Sequence, residues 1–186
     1  MPTLLTMALA LQWGAPLTNA DLEGMPDDGH RYELVDGVLL VTPAPGTAHQ
    51  RCVVRLTILL AAEAGADHDV LVAPYDYLVS PTTLLQPDLL VARREDLGEA
   101  RLERPPVLVI EVLSPSTRLT DLGTKRLAYE AAGVPAYWLV DPEEPSLTVL
   151  ALDEGSYVEE AVVVAAERYQ ASSPFEVTVV PSELVE

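Results

Sequence analysis

The sequence predicts an α/β fold: a mixed central sheet flanked by helices. Three observations predict it. Short apolar runs bounded by Gly and Pro alternate with longer stretches of helical spacing. Val107–Leu113 is continuously apolar except for Glu111, as expected of a strand covered on both faces. Helical stretches flank these strands, and long apolar strands covered by helices make an α/β sandwich.

The elements follow in order. Thr18–Glu23 reads as a short helix capped by Thr18 or Asn19. Arg31–Thr42 reads as a hairpin whose Asp36-Gly37 pair suits a type I′ turn. After Pro43, Pro45 and Gly46, Thr47–Ala64 has Val53, Leu56, Leu59 and Leu60 on one helical face, and Gly65 stops it. Val70–Ala73, Tyr75–Val79 and Asp88–Ala92 read as strands, the last opened by Pro87. Val107–Leu113 is next, then a Ser114–Thr117 loop and a helix over Thr120–Ala132 closed by Gly133. Ala136–Val140 is a strand, and Leu147–Leu152 with Tyr157–Val164 makes a C-terminal hairpin. No repeat, low-complexity tract or linker interrupts the chain, so residues 1–186 read as one domain, with 1–17 a loose or docked N-terminal segment.

Composition narrows the function classes. The chain has 186 residues, enough for a sizeable core without disulfides or a structural metal. The single cysteine, Cys52, lies in an apolar stretch and reads as a core residue rather than a nucleophile; it points to a reducing, cytoplasmic setting. No Lys or Arg precedes Arg31, so the n-region of a signal peptide is missing. No apolar run approaches the ~20 residues of a membrane span. The net charge of −18 argues against broad electrostatic capture of nucleic acid. The charge is uneven, however: residues 31–140 carry fourteen acids against ten basic residues, a net of only −4, while the two ends carry fifteen acids and one arginine. All basic residues but Arg168 lie between residues 31 and 140, with the candidate chemistry.

That chemistry starts at Glu111. A carboxylate inside a buried strand costs several kcal/mol unless it is paired, protonated or bound to a cation. Asp88 opens a second apolar strand. If the two strands are neighbours, both acids meet at one end of the sheet. Two hard oxygen donors there suit Mg²⁺ or Mn²⁺, with water and substrate phosphate completing the octahedron. Lys125 lies early in the following helix, where an ammonium could orient the attacking water or stabilise the transition state. The structural alternatives are an ion pair for Glu111, a turn residue for Asp88 and a solvent-facing lysine for Lys125.

Several segments occur together and in order: Arg31-Tyr32-Glu33-Leu34-Val35-Asp36-Gly37, Gln86-Pro87-Asp88-Leu89-Leu90, Val109–Thr117 with Glu111, Lys125 with Tyr129, and Gly133–Pro142. In this the chain resembles a large bacterial putative restriction endonuclease family of unknown function, from about residue 18 to about 180. That family belongs to the PD-(D/E)xK nuclease superfamily. The resemblance implies a restriction-endonuclease-like αβββαβ core, here with extra N-terminal and C-terminal β-hairpins. It implies that Asp88 and Glu111 hold a metal. The usual superfamily lysine two positions after the Glu is replaced here by Leu113, and the family pattern places the lysine at Lys125 instead. Glu33 matches the Tyr-Glu-Leu motif and is either a third acid or a partner of Arg31. His49 matches a family position at a helix start and is read as a helix cap, with contact to the site as the alternative.

The expected function is Mg²⁺-dependent hydrolysis of phosphodiester bonds in DNA, by a chain without membrane association and with the option of homo-oligomerisation. The alternatives are a non-catalytic interaction protein that keeps the fold, or a metal hydrolase of a small phosphoester. A basic groove built by Arg93, Arg94, Arg118 and Arg126 beside the acids would favour the nuclease.

Overall fold

The computed structural model describes residues 15–186. Most of the expected N-terminal segment, residues 1–14, lies outside the described residues. Pro16 and Leu17 are docked on the β1–β2 turn: the Leu17 N–H donates to the Gly37 carbonyl at 3.0 Å. Helix α1 (Asn19–Leu22) follows, and the Thr18 N–H and hydroxyl both donate to Asp21 Oδ2 at 2.8 Å.

Strands β1 (Arg31–Val35) and β2 (Val38–Thr42) form the expected hairpin. Its turn residues Asp36 and Gly37 have φ of 50° and 78°, as a type I′ turn demands. Helix α2 (Thr47–Glu63) buries Cys52, Val53, Leu56 and Leu60. Then come β3 (His68–Val72), β4 (Asp76–Ser80), β5 (Thr83–Leu85), β6 (Leu89–Arg93), β7 (Arg101–Leu102) and β8 (Leu108–Val112). The helical run after β8 is composite: α3 (Arg118–Thr120), a π-helical turn (Asp121–Lys125), and α4 (Arg126–Ala131). Strands β9 (Ala136–Asp141), β10 (Ser146–Asp153), β11 (Ser156–Val164), β12 (Tyr169–Ala171) and β13 (Val177–Val179) complete the fold.

The central sheet has six strands in the order β11-β10-β9-β8-β6-β3. It is mixed: β8 and β9 are parallel, and the other neighbours are antiparallel. One face carries Leu89, Val91, Ile110, Val112 and Trp138, which pack against α2 and the C-terminal strands. The other face carries Leu90, Val109, Leu113, Tyr137 and Leu139. It is covered by α4 and by a second, five-stranded sheet ordered β2-β1-β5-β4-β7. The N-terminal hairpin is thus two strands of a larger layer. Strand β5 escapes the sequence reading because three residues between Pro81-Thr82 and Gln86-Pro87 are too few for a period-two signal. Each large apolar side chain buried in these layers contributes roughly 2 kcal/mol.

Among the described residues no helix is long and apolar enough to cross a membrane. Cys52 is fully buried, and burial pushes its thiol up to about 12, which keeps it inert at neutral pH.

The β1–β2 turn also anchors the chain entering the domain. A Cβ at Gly37 would lie 2.3 Å from the Pro16 Cβ, and the positive φ adds strain. Gly37→Ala should therefore lower stability by roughly 1–3 kcal/mol. Urea unfolding monitored by circular dichroism measures it. A midpoint equal to the parent's would contradict this account of the turn.

Candidate active site

The two strand acids are brought together by register. Strands β6 and β8 are antiparallel with Leu89 opposite Ile110, so one step further places Asp88 opposite Glu111. Residues directly opposite project to the same face with Cβ atoms ~5 Å apart. Parity along the strands selects the face of the second sheet and α4, because Leu90, Val109 and Leu113 point there. The pair is interlocked through the backbone. Asp88 Oδ2 accepts the Val112 N–H at 2.9 Å, and the Asp88 N–H approaches Glu111 Oε2 at 3.4 Å.

Lys125 enters this face from the π-helical turn. Its Nζ lies 3.0 Å from Glu111 Oε1, 2.9 Å from Glu33 Oε1 and 3.9 Å from Asp121 Oδ1. It is 3% exposed, which excludes the solvent-facing alternative. Asp121, Lys125 and Tyr129 recur at intervals of four and are all buried. The Tyr129 hydroxyl donates to Glu111 Oε1 at 2.9 Å. The Tyr137 hydroxyl holds the π turn by donating to the Asp121 carbonyl at 2.9 Å. Such π turns interrupt a helix at a cost and concentrate at functional sites. Leu113, at the usual superfamily lysine position, is packed among apolar side chains.

The first hairpin and α2 supply the remaining groups. Glu33 accepts the Gln86 N–H at 2.8 Å and takes Lys125 as its ionic partner. It is therefore an acid of this cluster, and the expected alternative of pairing with Arg31 is not what is found. Arg31 instead reaches Asp88 Oδ1 at 3.0 Å and the Gln86 carbonyl at 2.9 Å. His49 corrects the reading as a helix cap. The N-cap of α2 is Gly46, no side chain caps it, and His49 Nε2 lies 2.9 Å from Asp88 Oδ2. A cap needs a side chain beside the free N–H groups; His49, three residues in, projects across to β6.

Burial pushes the Asp88 carboxyl up, but the hydrogen bond and charge of His49, with Arg31 and Lys125, outweigh it and hold the group well below the usual range. Glu111 moves the opposite way. Burial and the charges of Asp88, Asp121 and Glu33 raise it, and Lys125 offsets only part. Burial lifts Asp121 to about 6. Burial works against the Lys125 ammonium, yet Glu111, Glu33, Asp121 and Asp88 together keep it protonated. Four carboxylates thus face two permanent cations, Arg31 and Lys125. Positive charge is deficient by two if His49 is neutral.

A cavity of about 230 Å³ opens onto Asp88, Glu111, Asp121 and Lys125, rimmed by the Pro43–Gly46 turn and the Ser114–Thr117 loop. The donors fit a hard divalent cation. Among the described residues Glu111 Oε2 has only the distant Asp88 N–H as a hydrogen-bond neighbour and Asp121 Oδ1 has no hydrogen-bond partner, and four acids share two permanent cations. Among the described residues no three His, Cys, Asp or Glu side chains converge as a ready ligand set. Asp88 and Glu111 would therefore supply two ligands and leave the rest to water and substrate oxygens, as Mg²⁺ commonly accepts.

The basic groove that would have favoured the nuclease over its alternatives is not formed by these arginines. Arg93 lies at the far end of β6, ~16 Å along the strand from Asp88. Arg94 pairs with Asp69, Arg118 with Asp141, and Arg126 donates to the Tyr157 carbonyl. Each is committed away from the cavity, whose lining has only Arg31, Lys125 and His49 as basic groups. Asp121 was legible in principle, since its spacing of four from Lys125 puts both on one helical face. Arg31 carried no such signal, because its pairing with Asp88 spans 57 residues.

These shifts set a pH dependence. A folded-state carboxyl raised from 3.8 to about 6, as for Asp121, binds its proton more tightly than the unfolded chain does. Stability should then fall as pH rises through that window, by at most about 3 kcal/mol for this group. Asp88 acts in the opposite sense only below its usual value. Melting in EDTA between about pH 4 and 6 should show the decline, and Asp121→Asn should flatten it. An unchanged slope in that variant would refute the assignment.

A sequence profile of the family Uma2, described as Putative restriction endonuclease, matches residues 20–181. No curated protein matches the chain. Among solved structures, the crystal structure of a putative nuclease belonging to DUF820 from Anabaena variabilis has a similar fold. Its TM-score is 0.72 at 17% identity, covering 91% of this chain and 98% of that one. The profile match includes every residue of the acid cluster, from Arg31 and Glu33 to Lys125 and Tyr129, and on that extent the chain belongs to the Uma2 family of putative restriction endonucleases.

Proposed function

We infer that this chain is a divalent-cation-dependent nuclease that hydrolyses phosphodiester bonds, with DNA as the polymer. One observation carries the reading: the sole lysine of the chain is buried between Glu33 and Glu111 at the floor of an acid-lined cavity. A lysine kept only for surface charge would not be placed there. Elsewhere the chain uses arginine for positive charge.

Asp88 and Glu111 would hold Mg²⁺ or Mn²⁺. When bound, such a cation supplies Lewis-acid stabilisation of the negative charge that builds on phosphorus oxygens. The rest of the work belongs to the chain's own groups. Lys125 has three N–H donors. Two are spent on Glu33 and Glu111, so one remains for the attacking water or a transition-state oxygen. Glu33 and Tyr129 fix the geometry of that ammonium and its carboxylate partner. Arg31 and His49 fix the Asp88 carboxylate. The Pro43–Gly46 and Ser114–Thr117 segments rim the cavity, and the charges at its floor are buried, which strengthens each interaction between them.

A second reading is hydrolysis of a small phosphoester. It is favoured by the scarcity of basic side chains in the cavity lining and by the net charge of −18, since a small substrate needs no phosphate-tracking groove.

Two outcomes test the nuclease. Millimolar Mg²⁺ should raise the melting temperature of the parent. Glu111→Gln should melt no lower than the parent in EDTA and gain nothing from Mg²⁺. A parent insensitive to Mg²⁺ would count against the site. The second concerns Lys125, whose compact ammonium differs from the planar fork of arginine. Lys125→Arg should reduce cleavage of supercoiled DNA as severely as Lys125→Ala, about 10³-fold or more. The Ala variant should also lose roughly 3–5 kcal/mol of stability, because it strands buried acids. Full activity in the Arg variant would remove Lys125 from the mechanism.

A further inference from the structure

Hydrolysis needs a group that takes the proton of the attacking water, and the cavity offers few. Lys125 is not one. The surrounding acids keep its ammonium protonated, so it can steer a water through an N–H but cannot accept a proton. Asp88 is held too firmly: Oδ1 accepts from Arg31, Oδ2 faces His49 and the Val112 N–H, and the group stays well below the usual carboxylate range. Glu111 Oε1 accepts from Lys125 and Tyr129, which leaves Oε2 for the cation. Glu33 is not among the residues that line the cavity. His49 turns Nε2 to Asp88, and the other nitrogen of an imidazole points away from the first, here away from the acids.

Asp121 remains. It lines the cavity, and among the described residues its Oδ1 has no hydrogen-bond partner. The Lys125 Nζ lies 3.9 Å from that oxygen. The gap is too long for a direct hydrogen bond, but a water beside the pair reaches both at about 2.8 Å. Such a water accepts the third N–H of Lys125, donates to Asp121 and keeps a lone pair for attack. Both side chains come from the same π-helical turn, and the Tyr137 hydroxyl on β9 holds that turn by the Asp121 carbonyl. The groups that face the Asp121 carboxylate are Lys125 and Thr117 from its own helical run, Glu111 from β8, Asp88 from β6 and Glu33 from β1. Burial lifts the carboxyl to about 6 against Lys125 and Thr117. A group there is ionised at neutral pH yet basic enough to take a proton.

We propose that Asp121 is the general base of this site: its carboxylate takes a proton from the water whose oxygen attacks phosphorus, while Lys125 steers that water. The proposal rests on the nuclease reading for the position of the phosphodiester. The water oxygen bonds to phosphorus and the bond from phosphorus to the leaving oxygen breaks. The leaving oxygen takes a proton from solvent, and Asp121 then gives its own proton back to solvent. One phosphodiester and one water yield a phosphomonoester and an alcohol, with no change of oxidation state.

The test compares the parent with Asp121→Asn, which keeps the shape of the side chain and removes its basicity. Single-turnover cleavage of supercoiled plasmid and of bis-p-nitrophenyl phosphate is followed at saturating Mg²⁺ from about pH 5 to about pH 8. Asp121→Asn should cleave about 10²–10⁴-fold more slowly, with the loss in the rate constant and not in half-saturation by substrate. The parent's rate should rise with pH in the lower half of the range, and the variant should be flat there. Calorimetry should find Mg²⁺ bound as in the parent. In EDTA the variant should melt no lower, because Lys125 keeps Glu33 and Glu111 as partners. Asp121→Ser, which removes the carboxylate and leaves room for solvent, should match Asp121→Asn in rate and pH dependence. A variant as fast as the parent, or one that keeps the parent's pH rise, overturns the proposal and leaves the nuclease standing. Loss of Mg²⁺ binding also overturns it, since Asp121 would then be a ligand. Activity of the parent on the small diester alone, with the same dependence on Asp121, would keep the base and remove the polymer. A parent inactive on both substrates overturns both.

Discussion

The site is organised around one buried ammonium. Lys125 sits where Glu33, Glu111 and Asp121 converge, and among the described residues none of these acids has another permanent cation in contact. Removing a carboxylate from water costs several kcal/mol, and two carboxylates opposite each other across a strand pair add repulsion. The fold tolerates Glu111 beside Asp88 because partners arrive from three separate elements: the Lys125 ammonium from the helix after β8, the Arg31 guanidinium from β1 and the His49 ring nitrogen from α2. The placement of those elements is thus coupled to the chemistry. The π-helical turn gives Lys125 its position, and the hydroxyl of Tyr137 on β9 fixes that turn from below.

The compensation is incomplete, and the shortfall has a direction. Asp88 is held ionised by its partners, while Glu111 and Asp121 are driven toward the protonated form. A cluster whose acids differ in this way can exchange protons for a metal ion. A divalent cation would restore the missing charge and release the protons, by the linkage between ligation and deprotonation. A purely structural network would gain more from a second arginine than from an unpartnered Asp121 oxygen.

Much of this was readable from the chain because its signals are local. Glu111 stands out in an apolar strand, Asp88 follows a proline, and Lys125 is the only lysine. The Asp36-Gly37 turn and the two hairpins announce themselves by turn chemistry and alternation. What stayed hidden depends on contacts distant in sequence. His49 meets Asp88 across 39 residues and Arg31 meets it across 57, so neither partner could be chosen from spacing alone. The second sheet is invisible because β5 and β7 have three and two residues. The four arginines that could have built a basic groove do not, for a geometric reason: Asp88 and Arg93 occupy opposite ends of one strand, and the other three are held by nearby acids or carbonyls.

The central claim is that this acid cluster is completed by one divalent cation. Calorimetric titration of Mg²⁺ into the protein near pH 6.5, in two buffers of different ionisation enthalpy, measures ion count and proton release together. The account predicts one ion per chain, protons released on binding, and loss of the site in Glu111→Gln. Absence of binding at millimolar Mg²⁺, or binding that Glu111→Gln leaves unchanged, would contradict it.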